Sequence, residues 1–434
     1  MQILNSQDSE FESLLDKFIS EPRSQNSNVE ASVAKIIQAV KVSKNEALIK
    51  FTKQFDRISL RQDEMLVSDE EIITNCSKVP IEQKKAVDFA ARRIKSFHKR
   101  QLPQDKRWTD KAGIEMGWRW QPIERVGLYV PGGQASYPSS VLMNAIPATI
   151  AGSKEIIMVS PTPDGKINPL VIYAARVSGV SKIYKIGGAQ AIAALAFGTE
   201  TIKPVDKIVG PGNAFVAEAK RQVFGRVGID MVAGPSEVVI IADEDNRANW
   251  ISADLLSQAE HDESAQAILI TTNQWFAKEV LTCFKDQLSN LARRNIADKS
   301  WKKNGKIIVV ADLDEAARLS NRFAPEHLQL CVRNPDELLN SIKNAGSVFI
   351  GSWTPESLGD YVIGTNHVLP TENSSRFASG LSVLDFMKRS FVSRVTSDSV
   401  RLIGESAAVL ARAEGLGAHE LSVNLRIMDE TKTN

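Results

Sequence analysis

The pattern that most constrains this chain is a strand, a glycine turn and a helix, recurring along residues 125–223. Arg125-Val-Gly-Leu-Tyr-Val-Pro-Gly-Gly133 predicts a short buried strand running into a glycine turn, with a small-residue helix after it at 141–151. A strand at 155–160 and a helix at 169–178 follow. A strand at 182–186 leads into Gly187-Gly-Ala-Gln190 and an alanine-rich helix, and Lys207-Ile-Val209 leads into Gly210-Pro-Gly-Asn213 and a helix to Val223. Parallel strands need a crossover between them, so this alternation predicts βαβ units on a parallel sheet. A second series, with strands at 238–242, 267–271, 306–310, 329–332 and 347–350, predicts another.

At 434 residues the chain exceeds what one core organises. The expected class is α/β, with two Rossmann-like parallel-sheet domains, a helical N-terminal arm and a helical C-terminal tail. The arm takes residues 1–24, ending at Glu21-Pro22 and a Ser/Asn-rich break at 23–28. One domain takes 25–120 and 237–384, the other 121–236, and the tail 385–434. Helical spacing of Val33, Ile36, Ile37, Val40 and Val42 places a helix in 29–53. A basic helix over 81–101 carries His98, expected as a solvated surface residue.

Charge narrows the partners. Fifty-three basic and fifty-two acidic side chains leave a net charge of +1 with no basic block, which argues against nucleic acid or an anionic membrane. No apolar run reaches the ~20 residues of a membrane span, and the N-terminus lacks a secretory signal. Cys76, Cys283 and Cys331 are scattered without CxxC spacing, so no disulfide framework or thiolate zinc site is indicated. The expected compartment is the cytoplasm.

Chemistry concentrates in the second series. Read as a helix running into Ala253-Asp-Leu-Leu-Ser-Gln-Ala-Glu-His261, the chain puts Ile251, Leu255, Gln258 and His261 on one face, so a polar pair continues an apolar stripe. Left unsatisfied, each such group costs about 1–3 kcal/mol. A backbone hydrogen bond answers that cost, and so does a metal or substrate site. Ala324-Pro-Glu-His327, Glu356-Ser-Leu-Gly-Asp360, Asn366-His367 and Glu414-Gly-Leu-Gly-Ala-His419 hold three more of the five histidines. Glu326 and His327, beside a proline turn, are acid–base candidates if both reach one cavity from a loop. His367 reads equally as a structural donor in a turn. The glycine turns of the first series offer close backbone approach and helix N-termini to an anion, yet neither G-x-G-x-x-G nor a P-loop is present.

Several long blocks resemble the histidinol dehydrogenase family. They are Gly127-Leu-Tyr-Val-Pro-Gly-Gly133, Gly187-Gly-Ala-Gln-Ala-Ile-Ala-Ala-Leu-Ala-Phe-Gly-Thr199, Lys207-Ile-Val-Gly-Pro-Gly-Asn213 and Ala233-Gly-Pro-Ser-Glu237. Asp254 to His261, Pro325-Glu-His327, Gly364-Thr-Asn-His-Val-Leu-Pro-Thr371 and Glu414 to His419 continue the match in order. The resemblance implies a homodimeric zinc enzyme, one Zn2+ per subunit, that oxidises L-histidinol to L-histidine with two NAD+. It implies zinc ligands at Gln258, His261, Asp360 and His419, which with Ser236, His327 and Glu414 also face the substrate. His327 corresponds to the base of the first oxidation and Glu326 to the activator of water for the second. Tyr129, Gln190 and Asn213 correspond to NAD contacts, and the tail to a segment that crosses between subunits.

One departure stands out. After Thr371 this chain carries Glu372-Asn373 where relatives commonly carry glycine, which predicts a shifted loop. No cysteine falls in the matched catalytic blocks, so a thiohemiacetal route is not expected. Two other classes compete: a zinc hydrolase or lyase using the same ligands, and an inactive binding protein of this fold.

Overall fold

The structure, a computed structural model, describes residues 3–21, 29–132, 137–232 and 234–428. Gly133, Ala233 and the break at 22–28 lie outside them. The chain falls into two compact units, Met1–Gln101 with Glu124–Phe386, and Leu102–Ile123 with Met387–Asn434.

The N-terminal arm is not the polar helical arm expected. It opens with strand β1 (Ile3–Asn5), which pairs in parallel with a strand at Lys306–Val309. Helix α1 (Phe11–Ser20) then buries Phe11 and Leu15 in the core beneath that sheet. The arm is polar overall, yet Phe11, Leu15, Phe18 and Ile19 recur at helical spacing and all pack on that core.

Helices α2 (Val29–Asp56), α3 (Asp69–Lys78) and α4 (Ile81–Lys99) follow. Val33, Ile36, Ile37 and Val40 are buried, but Val42 is 70% exposed. It lies two residues off the stripe, and the helix kinks at Lys44 (φ 44°) before Ala47 and Leu48 resume it. His98 is also not where it was expected. It is fully buried, four residues after Ile94 on the inner face of α4, among basic neighbours that mask the stripe. Its Nδ1–H donates to the Ile94 carbonyl (2.9 Å), and its Nε2 accepts from the Asn366 amide (3.2 Å).

Strands β2 (Lys106–Thr109) and β3 (Glu115–Pro122) belong to the second unit. The chain then enters its first parallel sheet through β4 (Arg125–Tyr129), α5 (Pro138–Ala151), β5 (Glu155–Val159), α6 (Pro169–Ser178) and β6 (Lys182–Tyr184). It continues with α7 (Gly188–Phe197), β7 (Lys207–Val209), α8 (Ala214–Val223) and β8 (Gly228–Ile229). The strands lie β6-β5-β4-β7-β8, all parallel, so the order reverses between β4 and β7. Such a reversal leaves a crevice at the carboxyl ends of the strands, and all three glycine turns sit at that edge. Helix α2 packs on α7 and α8, α3 on α6, and α4 on α5. Residues 29–99 therefore join this sheet and not the domain of 237–384 with which the sequence reading grouped them. Their core is shared with Ile157, Ile192 and Ile208.

The second parallel sheet is built from β9 (Glu237–Ala242), α9 (Ala248–Ala259), β10 (Gln266–Thr271), α10 (Gln274–Leu288), α11 (Arg294–Asn304) and β11 (Lys306–Val309). Helix α12 (Leu313–Phe323), β12 (His327–Cys331), α13 (Pro335–Leu339), β13 (Ser347–Ile350) and α14 (Glu356–Tyr361) complete it. Its order is β1-β11-β10-β9-β12-β13, with the reversal between β9 and β12. Strands β9 and β10 are buried at every residue, as a parallel sheet covered on both faces requires.

In the second unit, β14 (Met387–Arg394) pairs antiparallel with β3, and β3 with β2. Helices α15 (Ser397–Ala413) and α16 (Gly417–Ile427) pack against each other, with Gly404 admitting Ile427 and Val423. The tail is thus helical only after an eight-residue strand. Leu402, Leu410, Leu421, Leu425 and Met428 on these helices and their end are each more than half exposed.

Candidate active site at the amino edge of the second sheet

Helix α12 is capped by Asp312, whose carboxylate accepts from Glu315 N–H (2.7 Å). It ends at Ala324 in the left-handed conformation (φ 44°), and Pro325 stops it from resuming. A non-glycine residue there is strained, and the Ala324 carbonyl is held by the Ser375 hydroxyl (2.7 Å). The sharp exit delivers Glu326 and His327 to the start of β12, so His327 is the first residue of a strand and not part of a loop.

Both side chains settle on the backbone of Glu237, the first residue of neighbouring β9. The Glu326 carboxylate accepts from Glu237 N–H (2.9 Å), and His327 Nδ1–H donates to the Glu237 carbonyl (3.0 Å). A carbonyl can only accept, so the proton of the neutral ring sits on Nδ1 and the Nε2 lone pair is free. Burial holds His327 down to about 4, with neighbouring His261 and His367 adding to the effect. The Glu237 carboxylate reciprocates by accepting from Glu326 N–H (3.2 Å) and from Glu372 N–H (3.0 Å). The carboxylate of Glu326 and Nδ1 of His327 come within 3.6 Å.

Helix α14 brings the metal-ligating types. His261, Glu356 and Asp360 each offer one donor atom, all within 4.8 Å of one another, the one such cluster found among the described residues. Glu356 and Asp360 are four apart and so share a helix face. Asp360 Oδ1 is 4.0 Å from His327 Nε2 and 3.8 Å from His367 Nδ1, whose N–H donates to the Asp360 carbonyl (3.1 Å). Burial pushes Asp360 up to about 7 and raises Glu356 well above the ordinary carboxylate range, with Asp360 and Glu326 adding repulsion. His261 lies two residues past the end of α9 and is exposed, not on the buried helical face expected, yet enough protein surrounds it for burial to lower its pKa. One turn earlier, Gln258 is fully buried, and neither its amide oxygen nor its nitrogen has a hydrogen-bond partner.

That arrangement suits a cation. Buried carboxylates crowding one another, an imidazole and an orphaned amide are what a hard or borderline divalent ion satisfies. Cys331, by contrast, is a buried thiol pushed up to about 12, which fits no nucleophilic role.

Of the positions expected from the sequence, Gln258, His261, Glu326, His327 and Asp360 fall at this amino edge of the second sheet. Ser236 precedes β9 there, with its carbonyl accepting from Gln266 N–H (2.9 Å). Glu414 and His419 lie in the second unit, both exposed. Tyr129, Gln190 and Asn213 lie at the carboxyl edge of the first sheet. The Tyr129 hydroxyl accepts from Gly188 N–H (3.1 Å), Gln190 is buried with its amide oxygen unpartnered, and Asn213 caps α8 through Phe215 and Val216 N–H. Beside them a cleft of about 280 Å³ opens between Pro131-Gly132, Ser160-Pro161 and Lys166–Asn168. Gly132 and Gly187 both close on Pro161 with no room for a Cβ, the close approach a backbone-bound dinucleotide exploits. Sequence reasoning missed two residues. Glu356 was quoted without a role, although its spacing from Asp360 was a readable signal, and no sequence pattern marked Glu237.

Comparisons with known proteins bear on the family and the fold. The histidinol dehydrogenase family profile matches residues 19–427. Histidinol dehydrogenase of Ruegeria pomeroyi is 55% identical over 426 residues, 98% of either chain. That of Cereibacter sphaeroides is 53% identical, again over 98% of each. A crystal structure of histidinol dehydrogenase from Elizabethkingia anophelis superposes with a TM-score of 0.94 at 38% identity, covering 100% of this chain and 99% of that one.

Proposed function

The chain belongs to the histidinol dehydrogenase family of oxidoreductases, and from that premise we propose that it oxidises L-histidinol to L-histidine through L-histidinaldehyde, consuming two NAD+. Gln258, His261 and Asp360, with His419, hold one zinc ion, and Glu356 lines the same cluster. Zinc, when bound, supplies a redox-inert Lewis acid that anchors an imidazole and an amine.

The chain's own groups do the rest. His327 is neutral at working pH, and its Nε2 takes the hydroxyl proton as the first hydride leaves for the nicotinamide. The aldehyde must next be hydrated, and Glu326 takes the proton of the attacking water. Ser236 and Glu414 contact the substrate, the latter near its amino group. Holding the aldehyde in place keeps a reactive intermediate from bulk solvent. NAD+ lies across the switch point of the first sheet, near Tyr129, Gln190 and Asn213.

The protein acts in the cytoplasm as a homodimer whose tails cross. Among the described residues no helix is long and apolar enough to cross a membrane. The exposed leucines of α15 and α16 support a partner chain, since so many large apolar side chains on two short helices mark an interface.

The observation that carries this reading is the free Nε2 of His327 within 4.0 Å of the Asp360 carboxylate of the His261–Glu356–Asp360 cluster. The test is absorbance of reduced nicotinamide on adding histidinol. Two NADH per histidinol consumed, with histidine as product, is the expected result. One NADH with aldehyde released, or none, overturns it.

A further inference from the structure

The largest fully buried side chain in the first parallel-sheet core is a lysine that no step above uses. Lys220, on α8, is 2% exposed and forms an ion pair with Asp230, whose side chain is 1% exposed. Burying such a pair is costly, and one residue, Gly210, hydrogen-bonds both of its members. Lys220 Nζ donates to the Gly210 carbonyl (3.0 Å), and Gly210 N–H donates to Asp230 Oδ2 (2.8 Å). Gly210 follows β7 with φ 111°, a conformation open to glycine, and a Cβ there would collide with the Tyr129 carbonyl.

An N–H fixes φ and a carbonyl fixes ψ, so gripping both leaves Gly210 no free torsion. That torsion aims Pro211-Gly212-Asn213, the turn facing β4 across the reversal of strand order. Asp230 is itself tied to β7, its N–H donating to the Ile208 carbonyl (3.2 Å), while Lys220 rides on the helix Asn213 caps. The clamp is anchored on both flanks of the turn.

We propose that the Lys220–Asp230 pair is the positioning element of the Gly210–Asn213 turn and, through it, of the dinucleotide. This rests on the NAD+ reading above. Neither residue touches the cofactor; their effect is to hold the turn's N–H groups in the bound arrangement before binding, so that no ordering is left to be done.

The double substitution Lys220→Met with Asp230→Asn removes both charges without orphaning either. Equilibrium titration with NAD+ is expected to show about tenfold weaker binding. KM for histidinol and zinc content should stay within about twofold of wild type. A merely structural pair would lower the melting temperature and leave NAD+ affinity unchanged in the folded protein, which overturns the proposal; so does an equal loss in NAD+, histidinol and zinc binding. If the double variant does not fold, amide hydrogen exchange on the wild type decides: Gly212 and Asn213 N–H already protected before NAD+ is added, and little changed by it, supports the clamp, whereas protection that appears only with NAD+ contradicts it. Wild-type protein that binds no NAD+ overturns the cofactor reading and the clamp together, whereas tight wild-type binding with unaltered variants overturns the clamp alone.

Discussion

At the scale of single residues, direction of hydrogen bonding assigns the chemistry. The Glu237 carbonyl fixes the His327 tautomer, and its N–H holds the Glu326 carboxylate, so the groups proposed as base and as water activator share one anchor. Glu326→Gln should slow conversion of histidinaldehyde about 100-fold while conversion of histidinol falls far less, and His327→Asn should reverse that order. Half-reactions followed separately check it; equal losses in both steps from both variants would make the two residues one unit. His98 carries a different prediction. Burial lowers its pKa below the ordinary 6.5, so between the two values the unfolded chain binds more protons and stability rises with pH. Acidification through that window should therefore destabilise the wild type. His98→Leu should lose about 1–2 kcal/mol at neutral pH, because the Asn366 amide loses an acceptor. Its denaturant-derived stability should nevertheless fall less steeply from about pH 7 to 5. An unaltered slope would mean His98 does not titrate with folding.

At the scale of elements, the loop after Thr371 explains a departure visible in the sequence. Glu372 (φ 51°) and Asn373 (φ 61°) both hold the left-handed conformation that glycine adopts freely. Two non-glycine residues thus sit where glycine would be unstrained, and Glu372 N–H is spent on the Glu237 carboxylate. Glu372→Gly should raise stability by about 0.5–1 kcal/mol, the left-handed cost outweighing the added chain entropy, with turnover unchanged. A thermal scan reading a loss instead would assign the Glu372 side chain, which packs on Gly234, a larger role than its strain. Elements were legible wherever periodicity was strong: every strand of both parallel sheets except β1 and β8 lies where continuous apolar runs end in turn residues. β1 and β8 lack the glycine turn leading into a helix that marked the equally short β6 and β7. The placement of α2 to α4 was not legible, because an apolar stripe says that a helix packs and not on which sheet. For the site, Gln258 and His261 declared themselves by interrupting such a stripe, whereas Glu237 acts largely through its backbone, which no side-chain pattern encodes.

At the scale of the molecule, each parallel sheet reverses its order once, and the two proposed ligands use opposite edges. The glycine turns offer the carboxyl edge of the first sheet to a dinucleotide, while the ligand cluster gathers at the amino edge of the second, where β9 and β12 begin. If the tail crosses to a second subunit and brings His419 to its zinc, mixing His327→Asn with His419→Ala should create hybrids with one site carrying both defects and one carrying neither. Random reassociation should then recover roughly a quarter of wild-type activity. A complement of zero, with subunit exchange shown by a size tag, would place every site within one chain. The proposed zinc at His261, Glu356 and Asp360 is what the reaction depends on. Its most direct test is zinc content and NADH formation measured together on His261→Asn and on chelated wild type. We expect both quantities to vanish in both samples, with added zinc restoring only the wild type. Full turnover in metal-free protein, or full zinc in an inactive His261→Asn, would contradict it.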